Sequence, residues 1–327
     1  MPELNLIDAI HLALEEALDR DEKVVLIGTD IGPRGGIFGA SRGLYRKFGP
    51  QRVIDAPPTA DTLVGIAIGM ALFGYHPVCE IQFADFIHPA FNQIVNEAAK
   101  IYFRSSGDWH VPLVIRVPYG GGMGGGLYHS QSVESFFAHV PGLKVVIPAT
   151  PYDARGLLAS AICDPNPVLF LEPKRGYRRL SGQVPENPYT VPLGSSRIAL
   201  SGQHVSVYSY GICLADCLEA AREAAKLGVE VEIIDIRSLS PLDGETILAS
   251  VRKTGRALII HEDNLTAGFG AELAALIAEY AFDALDAPVR RLGGPNVPAV
   301  PFSPTLQDWY MLKPEKIVAA ILALARY

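Results

Sequence analysis

The chain has 327 residues, of which 49% are hydrophobic and 19% charged, with a formal net charge of −7. That length suits two α/β domains better than one. A mildly acidic chain has no sequence-wide attraction for nucleic acid or an anionic membrane, which excludes both as partners recognised by charge.

Mean hydropathy is +0.21, high for a chain with so few charges. The excess reads as surface buried between subunits, with a large core as the alternative. No run of about 18 apolar residues occurs, so no membrane span is expected. Met1-Pro2-Glu3-Leu4-Asn5 lacks a basic stretch followed by an apolar one, so no signal peptide is expected. The chain is therefore assigned to the cytoplasm, where thiols stay reduced. Cys79, Cys163, Cys213 and Cys217 contain no Cys-x-x-Cys pair. Cys213 and Cys217 are four apart in a helical pattern and read as small core residues.

In chain order, Asn5 can cap a first helix, with Asp8 three residues on and Leu6, Ile10, Leu14, Ala17 and Leu18 along one face. Val24 to Ile27 reads as a buried strand ending at Gly28. Further strands are expected at residues 78–81, 113–117, 145–147 and 168–171, and helices at 61–73, 88–102 and 152–163. Residues 174–192, with Pro185, Pro188 and Pro192, break the rhythm and read as the connection between domains. Strands at 205–209, 231–236 and 257–260 follow, with helices at 212–227, 243–254, 268–280 and 314–325. Short apolar strands separated by helices imply mostly parallel sheets covered on both faces. The expected architecture is α/β, with domains at 1–185 and 201–327 and a linker over 186–200.

Gly65 and Gly69 lie one turn apart in the second helix. Each costs about 1 kcal/mol relative to alanine there, which close packing would offset; a subunit contact is favoured over packing on the chain's own sheet. Residues 120–126 hold six glycines in seven, after a strand. They lack the Gly-Lys-Ser/Thr ending of a phosphate loop, and let the backbone approach a neighbour or move. His129 follows this loop and is placed as an acid or base. Asp164-Pro165-Asn166-Pro167 reads equally as an ordinary turn or as a source of oxygen ligands for a hard cation.

Glu80-Ile81-Gln82-Phe83-Ala84-Asp85-Phe86, then residues 89–100, resemble the beta subunits of branched-chain 2-oxo acid dehydrogenases. So do Leu127-Tyr128-His129-Ser130-Gln131-Ser132, residues 141–148 and 169–174, and Lys253-Thr254-Gly255-Arg256. The resemblance covers essentially the whole chain in one register, and pyruvate and acetoin dehydrogenase beta subunits share much of it. It implies a pyrimidine-binding domain followed by a C-terminal domain of the transketolase type. It also implies two alpha and two beta subunits, with thiamine diphosphate between an alpha and a beta chain. Mg²⁺ and the diphosphate are then held by the alpha subunit's Gly-Asp-Gly…Asn motif, which this chain lacks; the nearest is Gly107-Asp108-Trp109. The acyl product passes to a lipoyl-bearing acyltransferase.

The resemblance carries roles onto particular residues. His129 would contact the 2-oxo acid and take part in proton transfer. Cofactor contacts fall on Thr29, Pro58, Thr59, Ala60, Gln82, Phe86, Ile87, His88 and Pro89. Substrate contacts fall on Phe83, Ala84, Asp85, Phe86 and His129. A structural potassium site, mainly backbone carbonyls, falls on Val111, Leu113, Val114, Ala161, Asp164 and Asn166.

Three residues depart from the family's pattern. Glutamate is usual where Ala60 stands and drives the pyrimidine tautomer; it is also usual at Thr29, and tyrosine is common at Phe86. Alanine cannot share a proton, and losing a general acid/base typically costs about 10²–10⁴ in rate. Asp61 is one helical position on, rotated by roughly 100°. A divergent or engineered site, a noncatalytic assembly or regulatory paralogue, and rescue by Asp61 or a partner residue each fit this departure.

Overall fold

Asn5 opens the fold with an extended backbone (φ −83°, ψ 171°), and its side chain accepts the Asp8 amide at 2.9 Å. That satisfies one of the orphan donors at the start of the helix Leu6–Arg20. Leu6, Ile10, Ala13, Leu14 and Leu18 are buried along one face and pack with Ala154, Leu157, Leu158 and Ala161 of the helix Pro151–Ile162. Ala17 is only partly buried at the margin of this cluster. The structure is a computed structural model that describes residues 1–327.

In chain order the strands are β1 (Glu3–Asn5), β2 (Val24–Gly28), β3 (Val53–Asp55), β4 (His76–Glu80), β5 (Val114–Tyr119), β6 (Lys144–Val146), β7 (Val168–Pro173), β8 (Ser181–Gln183), β9 (Arg197–Leu200), β10 (Val205–Ser209), β11 (Val231–Asp235), β12 (Ser238–Ser240), β13 (Ala257–Asn264) and β14 (Arg290–Gly294). A seven-stranded sheet runs β12-β6-β7-β5-β4-β2-β3, and a five-stranded one runs β14-β13-β10-β11-β9. Both are parallel except at one edge, where β12 runs antiparallel to β6 and β9 antiparallel to β11. Every residue of β2, β5 and β10 is buried; β2 reads accordingly as an unbroken apolar run, while β5 buries Arg116 and β10 buries Ser206 and Ser209.

The structure adds β1, β3, β9 and β14 and the short helices Leu44–Phe48, Glu134–Ala138 and Pro304–Tyr310, none of them expected, and β9 lies inside the expected linker. Four further departures bear on the packing and the site. Residues 181–183 lie inside the stretch read as a bare connection, yet they form β8, paired antiparallel with β1. Ser181 and Gln183 are exposed, so the strand leaves no apolar signature. β12 follows the second sheet's β11 but crosses back to pair with β6, Ser238 opposite Val146. The segment expected as one helix over 88–102 is divided into a 3-10 turn His88–Ala90, a π turn Gln93–Ala98 and a short helix Ile101–Arg104. Gly142 passes so close that a Cβ there would lie 2.1 Å from the Ala99 carbonyl oxygen. Over so short a stretch, apolar spacing does not separate widened turns from regular ones. Finally, β13 runs past Ile260 to Asn264 through His261, Glu262 and Asp263, which are polar but buried.

One apolar cluster spans both sheets, joining Tyr119, Val145 and Ile147 to Tyr208, Tyr210, Ile234 and Ile236. Tyr119 ends β5 and Tyr210 follows β10, so strand ends of both sheets meet at a common junction. No helix is long and apolar enough to cross a membrane.

Candidate active site

The site gathers at the carboxyl ends of β2, β3 and β4, the usual place for a ligand on a parallel sheet. Gly28 ends β2 where a Cβ would lie 2.8 Å from the Glu80 carbonyl oxygen, so only glycine lets the two strand ends approach this closely. Thr29 comes next. Gln82, just beyond β4, donates from Nε2 to the Thr29 carbonyl (3.4 Å) and to Asp30 Oδ2 (3.1 Å). Pro58 and Thr59 lead into the helix Ala60–Leu72. Thr29, Pro58, Thr59, Ala60, Leu63, Glu80, Ile81, Gln82, Asp85, Phe86 and Pro89 line a cavity of about 220 Å³. Pro58, Thr59, Phe86 and Pro89 are exposed, so one side of it faces outward.

Of the residues expected around a cofactor, Ile87 and His88 are the two outside this lining. Ile87 is fully buried beneath it, and His88 Nε2 lies 2.9 Å from Gln131 Oε1. Among the expected substrate contacts, Asp85 and Phe86 line the cavity, while Ala84 is buried in the core. His129 stands edge-on to Phe83 and Phe86, with ring centroids 4.5 and 5.5 Å away. Its position is set from one residue further on. Asp85 Oδ1 accepts the amides of Ser130 (3.1 Å) and Gln131 (3.3 Å), hydrogen bonds strengthened by the acceptor's charge.

The carboxylates around the cavity already have partners. Glu80 Oε2 is 2.6 Å from Arg116 Nη1, and Arg116 also binds Glu172 through Nε (2.7 Å) and Nη2 (3.0 Å). Burial opposes the Arg116 charge, but Glu172 and Glu80 outweigh it and hold its pKa above the ordinary value. Asp30 receives Gln82 and Arg34. Asp85 receives the two loop amides. Asp61 is exposed and lies outside the lining. Sequence reading missed Glu80, Ile81, Leu63 and the Arg116 network as parts of the site. Glu80 and Arg116 each carried a signal: a charged residue at the end or in the middle of a largely apolar strand.

Three amides of the glycine-rich loop already have acceptors, the first being Gly120 N–H, which donates to the Gln131 carbonyl at 2.9 Å. Gly121 N–H donates to Glu262 Oε1, and Gly124 N–H to Gln307 Oε1 at 2.9 Å. A larger cavity of about 500 Å³, beside Val24, His76 and Cys163, opens at the opposite strand ends, away from His129.

The expected potassium residues come together below the start of β5 and β7. Val168 N–H donates to the Leu113 carbonyl (2.9 Å), Asp164 N–H to the Ala161 carbonyl (3.3 Å), and Asn166 N–H to Asp164 Oδ1 (2.9 Å). Val111 and Val114 are buried beside them. Asn166 Oδ1 is buried without a partner, the kind of orphaned acceptor a cation would satisfy. Lys144 Nζ already occupies one side of Asp164, at 2.7 Å.

Gly69 has nothing within 4 Å of a Cβ position, and Gly65 meets only the Gln93 side chain at 3.8 Å. Packing on the chain's own sheet therefore does not explain this pair; the face also exposes Ile66 and Phe73. Cys213 and Cys217 are buried in the second sheet's core.

Two family models match the chain. One described as "Transketolase, pyrimidine binding domain" covers residues 3–179, and one described as "Transketolase, C-terminal domain" covers 194–317. The 2-oxoisovalerate dehydrogenase subunit beta of Bacillus subtilis is 46% identical over 327 residues, 100% of both chains. The pyruvate dehydrogenase E1 component subunit beta of Acholeplasma laidlawii is 42% identical, over 99% of this chain and 98% of its own. A solved structure described as "Split gene transketolase, inactive beta4 tetramer" superposes with a TM-score of 0.79 at 24% identity. It covers 99% of this chain and 98% of that one, and shares the fold.

Proposed function

The chain belongs to the beta subunits of the thiamine-diphosphate-dependent 2-oxo acid dehydrogenases, and on that premise we propose that it serves a branched-chain 2-oxo acid dehydrogenase complex. It is the beta subunit of the decarboxylating component, an enzyme active with an alpha subunit. The reaction is oxidative decarboxylation of a 2-oxo acid with transfer of the acyl group to a lipoyl-bearing acyltransferase. Pyruvate or acetoin is the alternative substrate.

The cavity of about 220 Å³ with an outward-facing side carries this reading. Pockets for whole ligands run to roughly 300–1,000 Å³, so this one takes a ring and leaves the rest of the cofactor to another chain. Pro58, Thr59, Gln82, Phe86 and Pro89 would hold the aminopyrimidine, with Thr29 at the end of β2 and Ile87 and His88 behind. Phe86, Pro89 and Leu63 offer it apolar walls, and Gln82 an amide. The alpha subunit would supply the ligands for Mg²⁺ and the diphosphate. When bound, thiamine diphosphate supplies the electron sink for decarboxylation. His129, braced through Asp85, moves a proton at the reacting carbonyl. The edges of Phe83 and Phe86 beside it suit a branched aliphatic side chain better than a charged one.

Two alpha and two beta chains would assemble, with the open face of Gly65, Ile66, Gly69 and Phe73 in a subunit contact. The proposed division is 1–185 and 201–327 with a linker over 186–200; β9 (Arg197–Leu200), within that linker, pairs with β11 of the second sheet, and β12 (Ser238–Ser240) crosses back to the first. Potassium would sit on the carbonyls of Val111, Leu113, Val114 and Ala161 with Asp164 and Asn166.

Ala60 favours a second reading. The lining fits the ring, but no carboxylate in it is free to share a proton with the ring. A subunit that assembles without turning over would look the same. Mixing the chain with an alpha partner, thiamine diphosphate, Mg²⁺ and a panel of 2-oxo acids decides the matter. Dye-coupled oxidation fastest with branched acids supports the proposal. A stable tetramer inert on every acid would leave only the assembly role.

A further inference from the structure

Residues 120–135 carry His129, and the C-terminal part of the chain grips that segment at three points. Glu262 and Asp263 are neighbours near the end of β13. Glu262 Oε1 accepts the Gly121 amide at the start of the segment, and Asp263 Oδ2 accepts the Ser135 hydroxyl at its end, 2.5 Å away. Between them, Gln307 Oε1 accepts the Gly124 amide at 2.9 Å. From β7's end, Lys174 Nζ donates to the Gly120 carbonyl.

The glycines answer this grip. A Cβ on Gly120 would lie 2.8 Å from Glu262 Oε1, one on Gly122 2.6 Å from Arg175 Cδ, and one on Gly126 2.9 Å from the Phe302 ring. All three have positive φ, +90°, +84° and +58°, so side chains there are opposed by backbone as well as by space. The run of glycines is thus a surface shaped to a neighbouring part of the same chain.

Glu262 is a costly choice for its place. It is 8% exposed, its Oε2 has no hydrogen-bond partner, and the nearest cation, Arg175 Nη2, is 3.7 Å away. Well-packed apolar residues commonly replace such groups with no loss of stability. Retaining a buried acceptor points to a positional demand on what it holds.

We infer that Glu262, Asp263 and Gln307 are positioning residues: the second sheet and its C-terminal extension set where His129 stands, and so set the rate of its proton step. This rests on the reading of His129 given above. A shift of about 1 Å in a positioned group can cost on the order of 10²-fold in rate. The cost falls on turnover rather than on cofactor binding, because the 220 Å³ cavity is lined by other elements.

The test uses the reconstituted alpha–beta complex and two readouts, amide hydrogen exchange over residues 120–131 and steady-state kinetics. Gln307→Ala and Glu262→Ala are expected to speed exchange in that segment. They are also expected to lower kcat by about 10-fold or more, with KM within about twofold. Glu262→Gln, which keeps an accepting oxygen, restores most of the rate. Faster exchange with unchanged kcat overturns the proposal, and so does unchanged exchange. Should Glu262→Ala fail to fold, Gln307→Ala on the short, partly exposed helix Pro304–Tyr310 carries the test alone. Full activity in His129→Ala is a separate failure: it removes the underlying reading while leaving the exchange result standing.

Discussion

Asp85 Oδ1 lies 3.1 Å from the backbone nitrogen of Ser130, so a carboxylate on the turn after β4 holds the residue that follows His129. A second amide, Gln131 N–H, reaches the same oxygen. Hydrogen bonds to a charged group are worth about 1.5–3 kcal/mol each. Asp85→Ala is expected to lower turnover by roughly 10–100-fold. Asp85→Asn, which keeps one accepting oxygen, should lose less. Equal rates for both variants and wild type would show that the loop holds itself.

Ala60 is partly buried at the first turn of its helix and lines the cavity. A carboxyl there would be the one such group at the cavity without a partner. Ala60→Glu is expected to raise turnover in the reconstituted complex, by up to about 10². A fall in rate would mean that the proton is handled elsewhere and that the small side chain makes room for something the enzyme needs.

His261 is buried, its Nδ1–H donates to the Asp263 carbonyl at 3.0 Å, and Nε2 has no partner. Burial pushes its pKa down to about 4. Unfolded, the ring titrates near 6.5. The unfolded chain therefore binds the extra proton first, and stability contributed above pH 6.5 is lost as pH falls toward 4. Between those limits the wild type should lose about 3 kcal/mol more than His261→Gln. Urea midpoints from pH 4 to 8 measure this. Parallel curves for the two proteins would contradict it.

Asn166 Oδ1 is buried with nothing to accept from. If potassium fills that place, KCl at about 100 times the dissociation constant stabilises the fold by roughly 2.7 kcal/mol over choline chloride of equal ionic strength. Asn166→Leu should abolish the difference between the two salts. A salt difference that survives in the variant would place the cation elsewhere.

Periodicity and capping in the sequence are local signals, and what they govern was legible from them. Asn5 and Asp8 announce the first helix because a cap acts across three residues. Val24–Ile27 announces a parallel strand because burial on both faces favours apolar side chains at every position. The Glu80–Phe86 and Leu127–Ser132 motifs placed the cavity lining and His129 on one register. β8 escaped notice because pairing with β1 uses backbone groups, which any side chain leaves available. The polar end of β13 escaped for the opposite reason: Glu262 and Asp263 are buried against partners more than 120 residues away in sequence. Only the tertiary structure could decide that these two carboxylates bracket the segment bearing His129, and that Glu80 and Asp85 are already engaged. Hydrogen bonds between distant residues depend on distances that no local pattern of residue types records.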